Sequence, residues 1–532
     1  VDIPEASSPP ADRPAAAAGT AARGAGDWRG YPLLLGLLLL AVGLSSGAII
    51  VRDRRPLDRG ALTNLVAAEA LAEALADGTR DGWSRWLQAS RRRPPLASPL
   101  YLPALLLVSN KAQAVRLTDL ALFLLLLWQV YALGRALGSR RTGLLAAWLL
   151  ATFPLVQGWC RAGNADPALW LGLLVLLRML LALDLRDRRQ ALALGLCAGL
   201  CPGLRLLALV FLVVPALWIV AVAARDRRCL PNLALAGVAA LLPAGWWFLT
   251  RLGQLGGGPL ASVGQAPQQG ASLMRYLQTG HLWMLAGALL AWLALWRGGT
   301  IPRRQLTALG LWIGAPALVL LLWRVNESHP LALVPACALL VALALEHIGP
   351  RRLRLTARVT LPALALVPLL LVYSAGISRL SSGLVWPDPR PHDAPLRVLQ
   401  PVPAREPVLL VNETRHPDYA RGTLLASGRR DLPRLVDRWR SGRPHALQPD
   451  TRVRYLLRVA PRCRRPGEAG CERFRKNAWW QAARVRLPLS SLALAHDPDG
   501  MEYELFRLPA PMTGRALATL RPPQSGAAAA GR

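Results

Sequence analysis

Residues 120–177 read LALFLLLLWQVYALGRALGSRRTGLLAAWLLATFPLVQGWCRAGNADPALWLGLLVLL, and this stretch decides the fold class. Three apolar blocks, each near the roughly 20 residues a helix needs to cross a bilayer, follow one another. The first break carries Arg135, Arg140 and Arg141; the second carries Arg161, Asn164 and Asp166. Cationic clusters alternating with short polar turns between long apolar runs are the pattern of a polytopic membrane protein.

Working outward, further spans are expected at 31–51, 190–203, 204–224, 232–250, 281–296, 306–323, 330–346 and 358–376, with 115–134, 142–160 and 166–184 at the centre, eleven in all. The segment 190–203 is short and, with Gly195, Gly199, Pro202 and Gly203, could form a tight helical pair with its neighbour. About thirty residues precede the first span and no A-x-A site closes it, so it reads as an anchor rather than a cleaved signal. Residues 1–30 form a Pro/Ala/Ser/Gly-rich tail with little to bury, expected to be disordered. Between the first two spans, 52–114 forms a long outer segment with a helical stretch soon after Asp58. The proline-broken run RRRPPLASPLYLPALLL at 91–107 suits a helix lying in the membrane surface.

The composition agrees. Of 532 residues, 53% are hydrophobic and 18% charged, with Lys+Arg 63 against Asp+Glu 31 for a net charge of +32. Soluble domains carry nearer 25% charge. The arginines punctuate apolar runs instead of sharing one face or arm, which argues against nucleic acid as the partner. With the N-terminus inside, the alternate loops carry Arg186, Arg188 and Arg189, then Arg225, Arg227 and Arg228, then Arg297, Arg303 and Arg304, then Arg351, Arg352 and Arg354. The opposite short loops are sparse in cations, so the positive-inside bias sets one orientation.

An odd number of spans places 377–520 outside the cytoplasm, with 521–532 as a frayed end. Strand-like pieces near 407–411, 453–459 and 503–508, with a helical stretch at 432–442 between the first two, predict an α/β or α+β domain. Across 377–532 Lys and Arg outnumber Asp and Glu by 27 to 14, which favours an anionic acceptor. In an oxidising compartment Cys463 and Cys471 can bridge, the alternative being two free thiols. The other five cysteines lie in or beside apolar runs and read as small hydrophobes.

Three polar constellations fall at the outer level under this topology: Asp53, Arg54, Arg55, Asp58 and Arg59; Arg161, Asn164 and Asp166; and Arg324, Asn326, Glu327, Ser328 and His329. Ionisable groups at the edge of a span are costly unless wet or paired, so their convergence suggests a polar cleft. Each also has a plainer reading. Asp166 before Pro167 fits a helix N-cap, the 52–55 arginines fit headgroup contact, and His329 before Pro330 fits a loop end. A carboxylate beside guanidinium groups suits transfer from an anionic lipid: the carboxylate takes a proton from, or orients, an acceptor hydroxyl, and the guanidinium groups bind the phosphate. No Gly-rich phosphate loop followed by Lys and Ser/Thr is present.

At this point the chain resembles the C-type membrane glycosyltransferases, in particular bacterial relatives of the dolichyl-phosphate-mannose protein mannosyltransferases and of the lipid A aminoarabinose transferase. The matching residues are Ala114, Arg116 and Leu117, YALGRALGSRRTGLLAAWLLATFPL at 131–155, RAGNADPAL at 161–169, LGLCAGLCPGLRLLAL at 194–209, HPLALVPACALL at 329–340 and the proline-rich run at 91–107. The resemblance implies a GT-C fold of about eleven spans (31–376) with an extracytoplasmic C-terminal domain. It also implies inverting transfer from a polyprenyl-phosphate-linked sugar to an extracytoplasmic glycolipid, glycan or protein. Asp58 matches the family's proposed catalytic base, followed here by Arg59 where Glu is usual, and Asp53 competes with it. Asp166 matches the second acidic position, Arg205 stands where Lys is usual, and Arg324 and His329 match the basic positions before the tenth span. Arg55, Arg59, Arg161, Arg205, Arg324 and His329 are the expected phosphate-binding set. No ligand cluster demands a cofactor, a divalent metal is left open, and the expected state is a monomer in a bacterial inner membrane. A transporter or assembly partner without transfer chemistry is the alternative reading.

Overall fold

The computed structural model describes residues 30–53, 57, 59–90, 94–183, 185–249, 281–299, 301–322, 330–347, 394–403, 406, 408–412, 435–437, 439–440, 443–444, 452–461, 487, 489–496 and 501–513. Among the described residues fourteen α-helices build the first part: α1 Tyr31–Arg52, α2 Arg59–Asp77, α3 Arg80–Ala89, α4 Ala97–Leu107, α5 Lys111–Leu137, α6 Arg140–Thr152, α7 Pro154–Trp159, α8 Asp166–Leu181, α9 Arg188–Leu204, α10 Ala208–Arg225, α11 Leu230–Leu249, α12 His281–Gly298, α13 Arg303–Leu322 and α14 Val334–His347. The expected spans between 31 and 346 are thus helical, the third as α6 and α7 broken at Phe153–Pro154; the segment 358–376 lies outside the described residues.

By length and composition α1 and α5 are long and apolar enough to cross a membrane, and shorter apolar helical stretches run through α4, α11, α12 and α14. The 22 residues of α1 rise about 33 Å, close to a bilayer's hydrocarbon thickness. Its outward stripe of Leu33, Leu37, Leu40 and Leu44 is exposed, as are Leu241 and Leu242 on α11 and Leu289 and Leu290 on α12. Apolar faces turned outward at helical spacing suit lipid as solvent.

Local signals set the helix ends. Asn110 caps α5 by accepting from the N–H groups of Ala112 and Gln113, and Ser139 with Thr142 forms a capping box at α6. The expected tight helical pair is instead the close crossing of α9 and α11, where a Cβ at Gly195 or Gly199 would run into the backbone of Ala236 and Ala240. A core of Phe123, Leu126, Leu150, Trp170, Leu177, Phe211, Leu339 and Leu343 joins the helices.

Two ends of the bundle are distinguishable by their ties. At one end Arg186 of the α8–α9 loop pairs with Asp226 of the α10–α11 loop at 2.9 Å, and Ser139 donates to Glu346. At the other, Leu96 N–H donates to Gly203 O at 3.0 Å, Trp86 Nε1–H to Ser98 Oγ at 3.2 Å, and Trp247 Nε1–H to Ser90 O at 3.2 Å. These bonds pin the short helices α3 and α4 across the ends of α9 and α11.

Among its described residues the C-terminal part holds α15 Ala394–Leu399 and seven strands: β1 Val408–Asn412, β2 Leu435–Asp437, β3 Trp439–Arg440, β4 Arg443–Pro444, β5 Arg452–Pro461, β6 Ser490–His496 and β7 Met501–Thr513. Five form an open mixed sheet in the order β2-β1-β5-β7-β6, with β1 parallel to both neighbours and β7 antiparallel to both of its own. The three expected strands are β1, β5 and β7. The helix expected over 432–442 is corrected: Leu435–Asp437 pairs with Val408–Leu410 as an edge strand, so hydrogen bonds to β1 override a weak helical pattern. β6 gave no clear alternation and escaped the sequence reading.

The expected disulfide is also corrected. Among the described residues there is no disulfide, and Cys160, Cys197, Cys201, Cys229 and Cys337 keep unbridged thiols. Cys463 and Cys471 themselves lie outside the described residues, and the bridge is withdrawn.

Candidate active site

The second bundle end concentrates buried polar groups. Asp53, Asn64, Arg116, Asp119, Arg161, Asn164 and Asp166 are all buried there. Asp53 closes α1 as its C-cap, and Arg116 lies in the second turn of α5. Arg116 Nη1 donates to the Asp53 backbone oxygen at 3.0 Å and lies 3.6 Å from its carboxylate. One guanidinium therefore satisfies a helix-end carbonyl and a buried charge together.

The turn 160–166 supplies the second group. Gly163 has φ +81° and Ala165 φ +60°, so the chain passes twice through the left-handed region before α8 starts at Asp166. At Gly163 glycine is required twice over, since a Cβ would also meet Val115 at 2.7 Å and Ala61 at 3.1 Å. Asp166 is the first residue of α8 and Ala165 occupies the cap position without a side-chain bond, so the plain N-cap reading of Asp166 does not hold. Its carboxylate, 1% exposed, pairs with Arg205, the residue that ends α9. The Arg205 side chain keeps 18% exposure, leaving part of the guanidinium reachable.

Between the two groups stands Asp119. This fully buried carboxylate lies one turn after Arg116 on α5 and accepts from the Tyr101 hydroxyl of α4 at 3.1 Å. Tyr101 also lies 3.2 Å from Gly163 O. Burial, and then the nearby Asp119, push the Tyr101 phenol well above its ordinary range, so it stays a donor at neutral pH. A small apolar cluster of Leu57, Ala61, Leu62, Leu65, Ala97, Tyr101, Val115 and Ala165 knits the start of α2, α4, α5 and the turn into one block.

Of the residues expected from sequence, Asp166, Arg161 and Arg205 come together here. The backbone of Arg59 opens α2; nothing is described of its side chain. Asp58, Arg55, Arg324 and His329 lie outside the described residues, although Leu57, which precedes Asp58, and Ala61 are buried against Gly163. Sequence reasoning missed Tyr101 and Asp119 as site residues and gave Arg116 no role. A carboxylate inside the apolar helix α5 was the available signal. Among the described residues no group of three or more His, Cys, Asp or Glu could hold a metal ion. The described carboxylates at positions 53 and 166 each already face an arginine.

The described residues form a helical bundle with apolar candidate membrane helices, buried charged groups gathered at one end and an appended open sheet, consistent with a GT-C-like fold. The comparisons agree with that class. The family model "Dolichyl-phosphate-mannose-protein mannosyltransferase" matches residues 92–247, from the proline-rich run to the end of α11. The crystal structure of ArnT from Cupriavidus metallidurans bound to undecaprenyl phosphate matches with TM-score 0.56 at 15% identity, covering 93% of this chain and 99% of that one. Its apo form matches with TM-score 0.53 at 16% identity and the same coverage. At these identities the likeness is one of fold, and it extends over both the bundle and the C-terminal part. No curated protein matches in sequence.

Proposed function

We propose that the chain is a membrane glycosyltransferase that moves a sugar from a polyprenyl-phosphate-linked donor to an acceptor at the extracytoplasmic face. The observation that carries this reading is the pairing of buried Asp166 with partly reachable Arg205 inside a polar cluster at one bundle end. Asp58 acts as the base: it takes the proton of an acceptor hydroxyl as that oxygen attacks the anomeric carbon. The carbon–oxygen bond to the phosphate breaks, and the electron pair leaves with polyprenyl phosphate. One base and no covalent nucleophile fit a single displacement with inversion. Arg161 and Arg205, with Arg55, Arg59, Arg324 and His329, hold the phosphate and its growing charge. Asp166 orients Arg205 and shapes the acceptor side.

The same reading makes 31–376 the membrane domain, with about eleven spans and 52–114 as its first outer segment. It places 1–30 in the cytoplasm, 377–520 outside as a cationic domain facing an anionic acceptor, and the whole in a bacterial inner membrane as a monomer. The test is transfer of labelled sugar from a polyprenyl-phosphate donor by membranes containing the protein. Asp58→Asn is expected to reduce transfer at least about 100-fold, in line with loss of general-base catalysis. Full transfer by Asp58→Asn with loss in Asp53→Asn would move the base. Unchanged transfer in Asp58→Asn, Asp53→Asn and Asp166→Asn alike would end the catalytic account.

A further inference from the structure

Asp119 and Tyr101 have no part in the reaction just described, yet they are among the most deeply buried polar side chains of the cluster. A carboxylate in an apolar helix is costly to keep, so its retention needs a reason. Among the described residues Asp119 accepts from the Tyr101 hydroxyl, and its carboxylate also feels the backbone N–H groups of Ala165 and Asn164. The same hydroxyl lies against Gly163 O. Side chains from α4 and α5 thus meet both the carbonyl and the N–H side of the one turn that carries Asp166. That turn includes Ala165 at φ +60°, a left-handed conformation that strains an L-residue with a Cβ. Such a turn persists where its surroundings over-determine it.

We infer that Tyr101 and Asp119 form a positioning pair. They hold the 163–166 turn in its left-handed course and so aim the Asp166–Arg205 pair at the lipid phosphate, without touching substrate themselves. This rests on the transferase reading for its catalytic consequence, though not for its effect on the turn. Tyr101→Phe removes one oxygen and keeps the ring. Asp119→Leu removes the carboxylate without a large void. Asp119→Asn keeps an oxygen that accepts from the phenol.

Two measurements on the full-length protein test the pair. In sugar transfer, Tyr101→Phe and Asp119→Leu are expected to lower kcat about 10- to 100-fold, the scale of a small misalignment, with KM for the lipid donor within about twofold. Asp119→Asn recovers kcat to within about threefold of wild type, and the double variant is no worse than Asp119→Leu alone, as members of one network behave. In amide hydrogen exchange, Tyr101→Phe and Asp119→Leu speed exchange across 160–166 at least about tenfold over wild type, and Asp119→Asn does not. A wild-type protein that transfers no sugar removes the transferase reading, and exchange then decides the pair alone. Unchanged exchange across the turn in Tyr101→Phe and Asp119→Leu overturns the inference, as does full kcat in both variants of an active protein.

Discussion

The two ends of the helix bundle use arginine in opposite ways. At the end formed by the α5–α6, α8–α9, α10–α11 and α12–α13 loops, Arg135, Arg141, Arg188, Arg189, Arg228, Arg297, Arg303 and Arg304 are exposed. Arg186, 69% exposed, makes an open pair with Asp226 and holds that carboxyl below its ordinary range. At the other end Arg116 and Arg161 are buried, and Arg205 is paired with a buried aspartate. Under the proposed topology, arginines at the first end would set orientation through number and side, and their individual geometry matters little. Arginines at the second end are held one by one, by partners that fix direction, as chemistry on an anionic group demands.

That contrast can be broken by substitution. The largest effect is expected for Asp166→Ala, which leaves the Arg205 charge without its partner: about 3 kcal/mol of stability, read as a lowered unfolding temperature in detergent, together with loss of transfer. Arg116→Ala is next. It strands the buried Asp53 carboxylate and a helix-end carbonyl, at about 2–3 kcal/mol by the same measurement. A variant as stable as wild type at either position would show that the buried end is no more demanding than the exposed one. Ala165→Gly runs the other way, relieving the left-handed alanine and raising stability by about 1 kcal/mol.

The smallest effect belongs to Arg186→Ala: an unchanged unfolding temperature and unchanged transfer. Its signature is in pH. The folded Asp226 carboxyl titrates below its unfolded value because of Arg186, so the pair contributes above the unfolded value and is lost as pH falls through the folded one. Removing Arg186 returns the Asp226 titration, followed by carboxyl NMR, toward its ordinary range.

Much of the helical architecture was legible from hydropathy alone, because apolar runs of helical length separated by arginines have few other readings. The break at Phe153–Pro154 and the crossing at Gly195 and Gly199 also left marks in proline and glycine. The site was only partly legible. Asp166, Arg161 and Arg205 stood out as charges at span edges, but their pairing depends on α8 and α9 meeting at one level, which sequence order does not contain. Asp119 was overlooked because it sits inside a span, and Tyr101 because a tyrosine in an apolar surface helix looks like packing. In the sheet, the short edge strand β2 was misread as helix, since its parallel pairing with β1 is a long-range contact invisible to local pattern.

The two ends should face opposite sides of a membrane, and side-specific labelling tests that most directly. In a background with the seven cysteines replaced by serine, Ser84→Cys on exposed α3 and Arg188→Cys at the start of α9 are each exposed to an impermeant maleimide in right-side-out vesicles. Ser84→Cys is predicted to label in sealed vesicles and Arg188→Cys only after permeabilisation. Labelling of both positions in sealed vesicles, or of Arg188→Cys alone, would contradict the account.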